Sequence, residues 1–194
     1  ITRDRTLINM TEEEWDEVIG VHLKGTFACS KFAAIQMRAQ KGGRIINTIA
    51  SGGLQGGFGR GNYAAAKGGI LSLTFTWALE LARHNITVNA LRPEARTRMT
   101  EPLIERAQQA AASGVPDPNI GRRWPEPDEE APLVVFMASD QASWLNGQIL
   151  DIDGPRVTVW SRPQPAKSIF MPQGWTPELL IKHLTPDFVK GALS

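Results

Sequence analysis

The sequence predicts an α/β fold, with a parallel sheet covered by helices on both faces in three layers. Two patterns point to it. Short β-branched runs recur at residues 44–49, 86–91 and 148–152, and stretches with helical apolar spacing separate them. Separations of that length suit crossovers between parallel strands rather than tight hairpins. The third observation is scale: 194 residues, 42% of them hydrophobic, bury a real core without disulfide or metal staples.

Taken in order, the first element is a helix. Thr11 and Glu14 form a capping-box pair ahead of an apolar stripe of Trp15, Val18, Ile19, His22 and Leu23. The spacing carries one helix to about residue 40, where Lys41-Gly42-Gly43 stops it. The strand at 44–49 leads into residues 51–61, which hold six glycines and read as a loop. A second long helix spans residues 62–83 and sets Tyr63, Lys67, Ile70, Leu71 and Thr74 on one face.

The strand at 86–91 ends at Pro93. Residues 100–127 are polar, alanine-rich and punctuated by proline, which predicts a helix at 102–112 and a long excursion of the kind that serves as a lid. A helix at 128–138 precedes the last strand, which stops at Asp153-Gly154. Beyond Pro155 the composition changes. Thr176-Pro177 and Thr185-Pro186 each pair a capping residue with a good first helical residue, so two short helices are expected. The expected division is a domain at 1–155 and a tail at 156–194. The opening Ile-Thr-Arg-Asp-Arg lacks a methionine and a leading strand, and reads as the carboxy-terminal part of something longer.

Composition narrows the function classes. Twenty-one basic and 20 acidic residues are intermixed, for a net charge of +1, so neither a nucleic-acid footprint nor a membrane anchor is expected. The single cysteine, Cys29, sits among small and apolar neighbours, excludes an internal disulfide and reads as a packed core residue. The three histidines, His22, His84 and His183, lack metal-ligand spacing, so no metal is expected. With no apolar run of membrane-spanning length and no signal peptide, a cytoplasmic location is expected.

The chemistry centres on Tyr63, the only tyrosine. A tyrosine is a poor base at neutral pH, but an ammonium one helical turn away, as Lys67 is, favours the phenolate. Such a pair is able to pass a proton to or from an alcohol or carbonyl oxygen. The glycine-rich loop brings Ser51 close, where its hydroxyl either holds the substrate oxygen or bonds to its own backbone. Two look-alikes fail on context. Gly59-Arg60-Gly61-Asn62-Tyr63-Ala64 fits a dinucleotide fingerprint without the tight strand-to-helix turn it needs. Ile49 stands where a nucleophile elbow around Ser51 requires glycine.

Asn62-Tyr63-Ala64-Ala65-Ala66-Lys67 after a strand and glycine loop, Ile86-Thr87-Val88-Asn89-Ala90 with Pro93, and Gly147-Gln148-Ile149-Leu150-Asp151-Ile152-Asp153-Gly154 together resemble the short-chain dehydrogenases/reductases. The likeness runs from residue 1 to about Gly154. It is closest to the subgroup with the 3-hydroxyacyl-CoA dehydrogenase domain of multifunctional β-oxidation enzyme type 2, on Arg3-Asp4-Arg5, Val21-His22-Leu23 and residues 93–100.

The resemblance implies a Rossmann-like, doubly wound sheet that lacks its amino-terminal βαβ half in this chain, and an alcohol/ketone oxidoreductase using NAD or NADP. It implies Tyr63 as general acid/base, with Lys67 binding the nicotinamide ribose and lowering the Tyr63 pKa. Ser51 and His22 complete the catalytic set, and Pro93 and Thr97 lie near the nicotinamide.

The implied substrate is a secondary alcohol such as a 3-hydroxyacyl thioester, in a pocket shaped by residues 99–127 and the tail. The helices beginning at Thr11 and Asn62 would pair in a homodimer or homotetramer, with the tail packing on the domain or a partner subunit. Three positions depart from the family pattern: Ala50 holds the usual serine position, one residue before Ser51; His22 replaces asparagine; and Glu94 replaces glycine, where pairing with Arg92 or Arg96 is expected. Two alternatives follow, a non-catalytic or truncated inactive chain that keeps the fold, and a dehydratase or epimerase on the same scaffold.

Overall fold

The computed structural model describes residues 1–190; residues 191–194, the end of the expected tail, lie outside them. Four strands lie side by side in one sheet: β1 (Gly43–Thr48), β2 (Ile86–Leu91), β3 (Ile149–Asp153) and β4 (Arg156–Trp160). The first three run parallel, with Ile45 opposite Val88 and Ala90 opposite Ile149. The expected strands are all present. The fourth, antiparallel to β3 with Leu150 opposite Val159, was not anticipated. Its apolar residues alternate normally, but Gly154-Pro155 looked like an ending when it is a hairpin turn. The first compact unit therefore continues past residue 155 to Trp160.

Helices cover both faces. Helix α4 (Gly61–Leu81) crosses from β1 to β2, and α6 (Pro127–Ala138) belongs to the crossover from β2 to β3. Strand alternation sorts the core between them. On the α4 face, Ile49, Ala90 and Ile149 meet Ile70 and Leu71. Ile45 and Val88 meet Ala78 there, with Met37 of α2 (Gly25–Gln40) packed alongside. On the other face Leu91, Leu150 and Ile152 pack against Leu133 and Met137 of α6. This is the Rossmann-like three-layer arrangement expected from the sequence.

The helix expected at 11–40 is interrupted. The Thr11–Glu14 capping box forms and starts α1 (Glu12–Ile19), but Gly20–Lys24 is a wide π turn before α2. There the Gly25 N–H reaches the Gly20 carbonyl. Two glycines bracketing the turn lower the resistance to that change of pitch. Cys29 is exposed on α2 rather than buried. It points to a groove bordered by Ser30, Met37 and residues 44–48 of β1. The glycine-rich segment is not all loop, because Ser51–Gln55 forms the short helix α3.

Between β2 and α6 lie α5 (Glu101–Ser113) and a winding segment to Pro125. The second unit begins at Ser161 and holds the two expected short helices, α7 (Pro177–His183) and α8 (Pro186–Lys190). Thr176 caps α7 by accepting the Leu179 N–H. Among the described residues no helix is long and apolar enough to cross a membrane.

Candidate active site

Three elements converge at the carboxyl ends of the parallel strands, where open α/β sheets bind their ligands. Tyr63 sits in the first turn of α4, and Asn62 fixes its position. The buried Asn62 side chain donates to the Arg3 carbonyl at 3.0 Å and the Glu14 carbonyl at 3.1 Å, and accepts the Tyr63 N–H at 2.7 Å. One amide thus ties α4 to α1 and to the chain's first residues. Asn62 is not among the site residues expected from sequence, because its role rests on bonds to the Arg3 and Glu14 carbonyls, far away along the chain.

Lys67 lies one turn on, 7% exposed, with its ammonium donating to the Thr48 carbonyl at 2.9 Å and 5.6 Å from the Tyr63 ring. Burial lowers its pKa. Burial also raises the Tyr63 pKa, against a smaller opposing pull from Arg60. The expected lowering of Tyr63 by Lys67 is therefore not realised in this arrangement. The ammonium is turned to a main-chain oxygen, and removal of the phenol from water dominates.

Tyr63 shares a cavity of about 440 Å³ with Ser51, Pro93 and Thr97. Apolar wall comes from Met99, Leu103 and Trp124. Four of the six residues singled out by sequence are thus brought to one space. The other two lie beside it. Lys67 faces the carboxyl end of β1, and His22 stacks edge-on against Tyr63, with ring centres 5.2 Å apart. His22 Nε2 is engaged with the Ile1 carbonyl at 2.8 Å, and burial lowers the His22 pKa. As placed, His22 shapes the Tyr63 surroundings and has no hydrogen bond to the phenol. Ala50, in extended conformation, precedes α3, so the first hydroxyl available on this wall is that of Ser51.

Glu94 pairs with Arg92 at 3.3 Å and with Arg122, not with Arg96, which instead holds Glu101 at 2.8 Å. Among the described residues no cluster of three metal-ligating side chains occurs.

A parallel sheet whose strand ends carry a glycine-rich wall and a tyrosine–lysine helix defines the class of Rossmann-like α/β proteins. Comparison narrows it. Residues 1–154 match the family model described as Enoyl-(Acyl carrier protein) reductase. The 3-oxoacyl-[acyl-carrier-protein] reductase FabG of Thermotoga maritima is 44% identical over 155 residues, 79% of this chain and 61% of that protein. The hydroxyacyl-CoA dehydrogenase ChsB1 of Mycobacterium tuberculosis is 40% identical over 199 residues, covering 97% of this chain and 60% of that protein.

Among solved structures, a short chain dehydrogenase from Mycobacterium avium superposes with a TM-score of 0.79 at 37% identity, over 98% of this chain and 62% of that one. The chain belongs to the short-chain dehydrogenase/reductase family, as its motifs implied. It spans about three fifths of the length of the relatives it matches.

Proposed function

We propose that this chain supplies the proton-transfer and substrate-facing part of a nicotinamide-dependent oxidoreductase that interconverts a secondary alcohol and a ketone. The observation that carries this reading is the shared cavity, in which Ser51 and Tyr63 face Pro93 and Thr97 with Lys67 buried one turn behind the tyrosine. The residues present fit the nicotinamide-ribose end of such a cofactor. Lys67 uses one N–H on Thr48 and keeps two for ribose hydroxyls. Whether the cofactor is NAD or NADP is decided by groups other than these.

When bound, the nicotinamide accepts or supplies the hydride. In oxidation Tyr63 Oη takes the hydroxyl proton as the carbinol C–H bond breaks; in reduction it returns that proton to the carbonyl oxygen. Ser51 Oγ donates to the same oxygen and holds it in reach. A 3-hydroxyacyl or 3-oxoacyl thioester is the proposed substrate class, supported by the apolar wall and by the names of the two relatives. Net nicotinamide reduction by the full-length protein on a panel of secondary alcohols tests the reading. Turnover of substrate without any change in nicotinamide absorbance would point instead to a dehydratase or epimerase.

Two further results are expected. Ser51→Ala should lower kcat by roughly a hundred- to a thousandfold, the range for losing one donor to a developing oxyanion. An unchanged value would remove Ser51 from the site. The second concerns pH. Burial holds Tyr63 above its usual value of 10.0, so the acid form prevails at neutrality. Ketone reduction, which needs the protonated phenol, should be flat from pH 6 to 9. Alcohol oxidation, which needs the phenolate, should climb with pH at about one log unit per pH unit. Paired pH–rate profiles check this, and a plateau in oxidation near pH 7 would show that bound cofactor reverses the shift.

Ala50 at the family's serine position favours a second reading, a chain that keeps the fold for interaction alone. Titration with NAD(H) and NADP(H) separates the two, since that reading requires no binding. A cytoplasmic homodimer or homotetramer is the proposed setting. Exposed Phe27, Phe32 and Ile35 on α2 and Leu79 on α4 support pairing through these helices.

A further inference from the structure

Behind the cavity, at the carboxyl ends of β2 and β3, lies a chain of charges that proton transfer does not use. Asp151 is 3% exposed and accepts from Arg92 Nε at 2.7 Å and from Trp160 Nε1 at 2.7 Å. The Arg92 guanidinium lies over the Trp160 ring, 5.3 Å from its centre. From this base Arg92 reaches Glu94 at 3.3 Å, and Glu94 in turn holds Arg122, whose guanidinium stacks on Trp124 at 4.8 Å. The Glu94 N–H is itself held by Glu130 Oε1 at 3.1 Å. Two guanidinium and two carboxylate groups alternate along the chain Asp151–Arg92–Glu94–Arg122, so the charges balance. Partial burial keeps water from screening them as it would at the surface.

The last two members of this chain belong to different walls of the cavity. Glu94 is in the Pro93–Glu94–Ala95 loop, next to Thr97, whereas Arg122 and Trp124 come from the winding segment after α5. A second tie joins the same walls, the Arg96 N–H donating to the Pro125 carbonyl at 2.7 Å. On its other side the segment is fastened to α5 by Arg106 and Asp117 at 2.9 Å. Arg123 ties the same segment to Asp153 of β3 at 3.2 Å and to Glu129 of α6, while the Glu94–Arg122 contact is the ion pair that joins it to the loop beside Tyr63.

We propose that Glu94 and Arg122 are positioning residues forming a latch. Their ion pair closes the Asn119–Trp124 wall onto the loop after β2, and that closure sets how long an acyl or alkyl group the cavity accepts. The length rule rests on the oxidoreductase reading above; the closure itself does not. Residues 93–97 fix one wall through the sheet, so the dimension that varies is set by where Arg122 and Trp124 stop.

The test uses the full-length protein and the variants Glu94→Gln, Arg122→Met and the double variant. The first readout is acrylamide quenching of Trp124 fluorescence, isolated by subtracting the same variants carrying Trp124→Phe. A latch predicts quenching that rises in both single variants, with the double variant no worse than the worse single. The second readout is KM and kcat over straight-chain 3-hydroxyacyl thioesters of increasing length. KM for the short members should rise roughly three- to tenfold, the scale of one partly shielded ion pair. The optimum should move to longer chains, while kcat falls less than KM rises.

Unaltered quenching overturns the latch whatever the kinetics. Raised quenching with an unmoved length optimum, or with KM, kcat and Tm collapsing together, overturns its role in selection. If the wild type shows no hydride transfer, the oxidoreductase reading fails separately. The Kd of each thioester, read from the same Trp124 signal, then replaces KM.

Discussion

Tyr63→Phe should abolish oxidoreduction almost completely, by roughly 10²- to 10⁴-fold in kcat, while leaving the fold and its thermal stability nearly unchanged. The substitution removes one oxygen. Among the described residues no protein group bonds the Tyr63 hydroxyl, so phenylalanine leaves no orphaned partner behind it. The backbone anchor of the position is the Asn62 amide, which is untouched. The edge-on contact with His22 is made by the ring and survives.

A loss of rate with unchanged Tm and unchanged cofactor affinity would isolate the proton-transfer role. Lys67→Met is the informative companion, because it should weaken cofactor binding as well and leave the Thr48 carbonyl without its donor. If Tyr63→Phe retained a tenth or more of the wild-type rate, the proton would have to come from elsewhere, and the assignment would fall.

Much of this site was legible in the sequence because it is written in local patterns. Tyr63 and Lys67 follow from i, i+4 spacing on a helix, and the strands that aim them follow from β-branched runs bounded by glycine and proline. Where reading failed, non-local contacts made the decision. The break at Gly20–Lys24 interrupts a stripe that is continuous in sequence, since a one-residue change of helical pitch leaves the apolar pattern nearly intact. Strand β4 was hidden because Gly154-Pro155 reads equally well as an end or as a hairpin turn.

Cys29 was placed in the core by its small neighbours, but the wheel position that decides its exposure faces a groove rather than a helix. Glu94 was seen as a departure with two candidate partners nearby in sequence. Arg92 does pair with it, but Arg96 turns to Glu101, and the second partner is Arg122 from the far side of α5, which no local pattern announces. The Tyr63 pKa shows the same division: spacing points to Lys67 as its controller, whereas the depth of the phenol in the fold turns the shift the other way.

Gly53→Ala is the other change expected to have a large effect, and it acts without touching a reacting group. A Cβ at Gly53 would lie 2.6 Å from the Lys67 carbonyl carbon and 2.7 Å from the Gly68 nitrogen. Both atoms belong to the backbone of α4 and have no room to yield. The contact is reciprocal, since a Cβ at Gly68 would meet the Gly53 carbonyl oxygen at 3.3 Å. These two glycines let α3 lie directly on α4, and that approach brings Ser51 to the cavity it shares with Tyr63.

A methyl group there must push the helices apart, at about 1–3 kcal/mol of stability for an overpacked contact. The larger consequence is geometric. Displacing Ser51 from Tyr63 and Lys67 by about 1 Å is worth roughly a hundredfold in rate. Gly57→Ala is the matched control, because its nearest neighbour would be the Arg60 side chain at an ordinary 3.6 Å. Thermal melts and kcat for the two variants decide the matter. An alanine at 53 that is as active and as stable as one at 57 would mean that the α3–α4 contact does not position the site.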